Sequence, residues 1–270
     1  MTIFISRARA FLKRDIVENF SYRLSATIDF FGMAFQLMVF FFIGKLIPGA
    51  NAHLQIADGD YFAFVLIGLA FNGLQATIMN SPGGAIATEQ SEGRLEAILM
   101  TGTGFGTLMA TGLFWNLIWA LLQTAGYLAA GIFFFGIHAP SANWAAAIVI
   151  CALTIAALSG FGLFTAGFTL AYKKGDPVNF ILNGLSKLLG GVYFPVTVLP
   201  LWLQHVAGFL PLTYTLQAAR KTLLKGAGFG DLIPEISALL LFTVIFFPAG
   251  ALFFSWSVRK SKREGSLNFT

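Results

Sequence analysis

Charge is what this sequence has least of: Asp, Glu, Lys and Arg together make up 11% of 270 residues. A soluble domain commits about a quarter of its residues to those types, so scarcity this deep leaves too little polar surface to face water on all sides. Cysteine is just as scarce. Cys151 stands alone inside an apolar run, which excludes an internal disulfide and fits a plain packing role. The three histidines, His53, His138 and His205, lie far apart without a ligand partner at i+3 or i+4, so no metal site is expected. No G-x-x-x-x-G-K-[ST] phosphate loop occurs; Lys45 follows Gly44, but at the end of an apolar run with no strand-loop-helix context. In "TGTGFGTL", Thr107 stands where a dinucleotide fingerprint needs its last glycine. The short alternating segments of a membrane barrel are missing too.

What is present is apolar. Hydrophobic residues are 57% of the chain, Phe alone contributes 30, and the mean hydropathy is +0.76. Continuous runs such as "FFGMAFQLMVFFFIG" and "ALLLFTVIFFPAGALFFSW" have the roughly 20-residue scale on which a helix crosses about 30 Å of hydrocarbon. The expected fold is an all-α membrane protein, one domain over 1–270, with six transmembrane helices. Their expected bounds are Leu24 to Ile47, Tyr61 to Asn80, Thr107 to Phe135, Trp144 to Tyr172, Pro177 to Pro195 and Ser237 to Val258. Ahead of them, segment 1–23 sets Ile3, Phe4, Phe11, Leu12 and Ile16 among Arg7, Arg9, Lys13 and Arg14. That pattern suits a helix lying in the membrane interface, and with no cleavage site it should stay attached.

Most of the 17 Lys and Arg fall at the two ends and in "YKKG", which favours both termini inside. The net charge of +5 thus reads as orientation, not nucleic-acid binding. The segment 196–230 is apolar enough for a seventh span, but prolines at Pro195, Pro200 and Pro211 argue against a straight helix. A seventh crossing would also put the basic tail "SVRKSKRE" outside. A re-entrant pair of short helices dipping in from the outer face is preferred, tolerable at that depth only when other protein packs around it. It leaves Arg220, Lys221 and Lys225 on the outer side.

Between spans 2 and 3, in the loop 81–106, stands "EQSEGRLEAILMTG". Read as one helix, it places Glu89, Glu92 and Glu96 on one face beside an apolar patch of Leu95, Ile98 and Leu99. Glu92 and Glu96 repel at i, i+4. Physics leaves two readings open: a docking face for a cationic partner, or a solvated loop whose acids keep it out of lipid. Two polar stripes are also notable. Asn179, Asn183, Ser186 and Lys187 fall at i, i+4, i+7 and i+8, while Gly68, Asn72 and Gln75 fall at i, i+4 and i+7. Each makes one wet face, serving either a substrate pathway or hydrogen bonds between helices. Lys187 and Asp29 either pair or reach the headgroups separately.

The pattern "EQSEGRLEAILMTG", followed far downstream by "GGVYFPVTVLPLWLQHVAGFLPLTYTLQAAR", resembles the membrane subunits of type-2 ATP-binding-cassette (ABC) transporters over essentially the whole chain. The resemblance implies that Glu89, Glu92, Gly93, Arg94, Leu95 and Glu96 form a cytoplasmic coupling helix docking a separate ATPase. It implies that Pro195, Pro200, Pro211 and Tyr214 mark the outer re-entrant element. Arg94 stands where the family commonly has a small hydroxyl residue, and Thr101-Gly102 where it often has proline. The implied assembly is two copies of this chain with two copies of the ATPase, in lipid of a bacterial plasma membrane, acting as an exporter. No cofactor is expected on this chain; ATP and Mg would sit on the partner. Asn72, Gln75, Asn179, Asn183, Ser186 and Lys187 would line the route of a lipid-linked glycan, a lipid or an amphipathic drug. The alternative, a proton-coupled secondary carrier, needs carboxylates near mid-membrane, and Asp29 near an edge is poor equipment.

Overall fold

The computed structural model describes residues 23–46, 60–101, 104–137, 142–172 and 177–264, and every regular element among them is helical. In chain order these are α1 (Arg23–Leu46), α2 (Tyr61–Ser91), α3 (Leu95–Met100), α4 (Phe105–Phe133), α5 (Trp144–Tyr172), α6 (Pro177–Leu189), α7 (Leu201–Ala207), α8 (Pro211–Leu224) and α9 (Ile233–Glu264). Four helices, α2, α4, α5 and the one ending in α9, are long and apolar enough to cross a membrane. The N-terminal segment expected to lie in the interface falls outside the described residues.

The centre of the bundle is α2. It is buried from Tyr61 to Phe71 and again at Leu74, Ile78 and Ile86. Asp60 starts it by accepting from the Phe62 amide at 3.0 Å, the usual way to satisfy a first-turn N–H. The expected stop at "SPGG" does not occur, and α2 runs on through Pro82 to Ser91. Proline deprives the carbonyl four residues back of its helical donor, so neighbouring groups must make the continuation tolerable. Here Thr165 on α5 donates to the adjacent Met79 carbonyl at 2.9 Å, and Ser81 returns its hydroxyl to Thr77. Gly162 lets α5 close in: a methyl group added there would lie 2.7 Å from the Ile78 oxygen.

Small residues set the other contacts, as expected where lipid removes the hydrophobic drive between helices. A methyl on Gly250 of α9 would meet the Gly160 oxygen of α5 at 2.2 Å; the glycines of "LSGFG" are thus packing residues. One on Gly68 of α2 would meet the Val192 oxygen at 2.3 Å. Helix α1 attaches through rings, with Phe41 against Phe62 and Phe135 at 5.4 and 5.0 Å, and Phe40 stacked on Tyr193 at 5.2 Å.

The fifth expected span is shorter than its apolar run. Helix α6 ends at Leu189, and the chain turns at Gly191, whose φ of +89° favours glycine. Thirteen residues extend about 20 Å, less than the hydrocarbon thickness. Beyond the turn, Leu210 and Pro211 sit with Gln75, Met79 and Leu158, halfway along α2 and α5. Helix α8 then returns to the end where Thr222 accepts from the Asn143 amide at 3.0 Å. Leu212, Leu216, Ala218 and Ala219 are completely buried, so α8 is wrapped by protein, whereas Leu201, Trp202 and Phe209 before it are exposed.

Candidate functional site

Helices α2 and α6 run antiparallel, with Gly68 beside Val192, Gln75 beside Asn183 and Asn80 beside Asn179. That register brings the two polar stripes together. Gln75 Nε2 donates to Asn183 Oδ1 at 3.5 Å, Asn183 Nδ2 to Asn179 Oδ1 at 2.5 Å, and Asn179 Nδ2 to Asn80 Oδ1. The result is a directional ladder of amides across the helix interface. Gln75 is fully buried, with its Oε1 lacking a partner among the described residues.

On one side of the ladder opens a groove of about 530 Å³ lined by Asn72, Ala76, Asn80, Asn179, Asn183 and Lys187. A second, of about 570 Å³, shares Ala76 and Asn80 and continues past Thr77, Trp115, Asn116 and Trp119 to Glu89. Ser186 is buried and lines the small pocket with Gln75, Leu210 and Pro211, not the groove. Lys187 is exposed, in the last turn of α6, with its Nζ 5.9 Å from the Tyr193 ring centroid. The expected span Pro177 to Pro195 would have set Lys187 well inside a continuous helix; α6 instead stops two residues after it. Asp29 belongs to α1, but its side chain lies outside the described residues, so the Asp29–Lys187 pair does too.

Sequence reasoning missed Asn80, Trp115, Asn116 and Trp119. Asn80 was legible: it lies eight residues after Asn72 and inside the expected span Tyr61 to Asn80. The tryptophans carried no periodic signal that separates a groove wall from a lipid face.

At the far end of α2 the expectation of one helix carrying three glutamates fails. Gly93, at φ +67°, ends α2, and the Arg94 amide closes the turn by donating to the Glu89 carbonyl at 2.9 Å. Arg94 then pairs with both acids that precede it, its Nε 2.9 Å from Glu89 Oε2 and its Nη1 on Glu92. Glu89 is buried on α2, Glu92 caps it, and Glu96 belongs to the separate α3. Leu95 is fully buried among Ile86, Phe105, Leu108, Met109, Ala166 and Leu170. A compact joint therefore clamps α3 to three long helices, with Arg94 neutralising part of the acid cluster.

Beyond the turn that ends α6, Tyr214 donates to the Gly208 carbonyl at 3.1 Å and Thr213 to Ala207 at 2.8 Å, tying α8 to α7. Pro195 and Pro200 precede the 3-10 turn and α7, and Pro211 opens α8. Of the three basic residues there, Lys221 pairs with buried Glu235 at 2.7 Å. Arg220 donates to the backbone: Nη2 to the Gly191 and Phe64 carbonyls at 2.7 and 3.0 Å, and Nε to Phe64 at 3.3 Å. Its guanidinium also covers the Phe64 ring at 3.3 Å. No sequence pattern announced that role.

The family model for the ABC-2 type transporter matches residues 8–224. Linearmycin resistance permease protein LnrN of Bacillus subtilis (strain 168) is 27% identical over 111 residues, 40% of this chain and 29% of its own length. The match thus spans under a third of that relative. Nodulation protein J of Rhizobium leguminosarum bv. viciae is 26% identical over 205 residues, 73% of this chain and 76% of its own. The same-named protein of Rhizobium leguminosarum bv. trifolii is 25% identical over 206 residues, covering 73% and 75%. With its several apolar helices and a family match over most of its length, the chain belongs to the ABC-2 type transporter family, as a multi-pass membrane protein.

Proposed function

We propose that two copies of this chain and two copies of the ATPase form an exporter in a bacterial plasma membrane, with both termini in the cytoplasm. The observation that carries this reading is the amide ladder of Gln75, Asn183, Asn179 and Asn80 opening on a groove. Polar side chains in a membrane interior are expensive and usually mark a route or an interface, and this row is accompanied by space. A second copy and surrounding lipid would close the open side. The cargo is a lipid-linked glycan, a lipid or an amphipathic drug; a resistance permease among the relatives agrees with outward transport. ATP and Mg bind on the ATPase. Helices α1 and α6 complete six spans behind an N-terminal interfacial helix, and α7 with α8 forms the outer re-entrant element.

In this scheme the joint of Glu89, Glu92, Gly93, Arg94, Leu95 and Glu96 is where the ATPase pushes. Reversing Glu92 and Glu96 to Lys is expected to weaken co-purification of the ATPase and uncouple hydrolysis from transport in liposomes, while the protein still inserts. An exposed ion pair is worth only about 0–1 kcal/mol, but like charges forced together at an interface cost several, so reversal tests more sharply than alanine. Normal binding and transport by the reversed protein would reduce these acids to a solvated face.

Topology has its own test. In a Cys151→Ala background, Lys225→Cys should react with an impermeant thiol reagent from the outside of intact cells. Lys225 is exposed, and the Lys221–Glu235 ion pair is left intact by the change. Labelling only from the cytoplasmic side means that the segment crosses.

A further inference from the structure

We infer that the groove between α2 and α6 selects an oxyanion, a phosphate or carboxylate carried on an amphiphile, with Lys187 as its charge partner. This rests on the reading of that groove as part of the substrate route and adds the chemistry of the cargo's head. The argument starts from hydrogen-bond direction. Each rung of the ladder uses an amide oxygen to accept from the previous amide. The row ends at Asn80, whose own Nδ2 has no partner among the described residues and whose side chain is exposed on the groove. Asn72, one helical turn above Ala76, adds a second amide to the same wall. Lys187 adds three donors and a full positive charge.

No carboxylate among the described residues pairs with Lys187. The end of α6 favours a cation through the backbone dipole, which holds Lys187 at this wall without neutralising it. Glu89 stands at the far end of the adjoining groove, held by Arg94, so it does not neutralise this wall. The groove therefore presents donors and a cation in one place. Phosphate and carboxylate oxygens are the groups that accept from such a set, and charge-assisted bonds to them are about twice as strong as neutral ones.

The test uses the full chain in nanodiscs of neutral lipid, titrated by calorimetry against empty-disc blanks. Octyl phosphate and octanoate supply the two oxyanions, octyl glucoside and octyltrimethylammonium the neutral and cationic heads, and inorganic phosphate the head without a tail. Octyl phosphate, octanoate or both should bind at least about tenfold more tightly than octyl glucoside, the ratio one charged hydrogen bond supplies. Which of the two does so identifies the source of the oxyanion. Lys187→Gln should erase that preference, Lys187→Arg should keep it, and Asp29→Asn should leave it unchanged. Equal binding of octyl glucoside, or an unchanged preference in Lys187→Gln, overturns the oxyanion assignment and leaves the pathway standing. Loss of the preference in Asp29→Asn assigns Lys187 to Asp29 and overturns it as well. Binding of inorganic phosphate as tight as that of octyl phosphate overturns the amphiphile part. If no amphiphile of any charge binds, the pathway reading of this groove falls with it.

Discussion

Arg220→Leu is expected to detach the end of α6 from the bundle and lower stability by about 3 kcal/mol or more. The side chain donates to the Gly191 and Phe64 carbonyls, and even at about 1.5 kcal/mol per charged hydrogen bond two such contacts reach that figure. Leucine fills the space but leaves both carbonyls without that donor. The Gly191 carbonyl belongs to the turn that ends α6, where no helical donor follows. In detergent the melting temperature should fall by roughly 6 °C or more. Arg220→Lys should not restore it, because one ammonium cannot reproduce a planar fork that spans two carbonyls and lies on a ring. If Arg220→Leu melts with the wild type, the guanidinium is ornamental.

Arg94→Glu should open the joint at the other end of α2. Arg94 bridges buried Glu89 and exposed Glu92, and the change sets a third carboxylate against two others, a like-charge juxtaposition that solvent screens at Glu92 but not at buried Glu89. Because the arginine is 52% exposed, its own pairing is partly screened, and the repulsion is the larger effect. The expected readout is faster amide exchange over 91–100 and release of Leu95 from its apolar pocket. Coupled ATP hydrolysis should fall in step. Combining Arg94→Glu with Glu89→Arg should recover part of the protection. Unchanged exchange in the single variant means that the pair does not hold the turn.

What the sequence disclosed follows the physics of each signal. The helices expected as spans 3 and 4 were legible to within two residues because each is one apolar run with no turn inside it. The extension of α2 was not, because Pro82 reads as a stop unless Thr165, Ser81 and Gly162, distant or local, are known to accommodate it. The short α6 was hidden by "GGVYF", which hydropathy scores as membrane although Gly191 turns the chain. Both polar stripes were visible as helical periods, yet only the antiparallel register joins them into a ladder. Arg94 looked like a departure from a motif. Its pairing with Glu89 needs the Gly93 turn, and a turn that converts one helix into two reverses every same-face inference across it.

The 31 residues of α2 form a single rod about 46 Å long, held part-way by the Thr165–Met79 bond. Measured from Met79, one arm reaches about 18 Å to Ser91 and the other about 27 Å to Tyr61. The longer arm is buried from Tyr61 to Phe71, while the shorter one ends at the Gly93 turn, so the rod is anchored in the bundle at one end and carries the joint at the other.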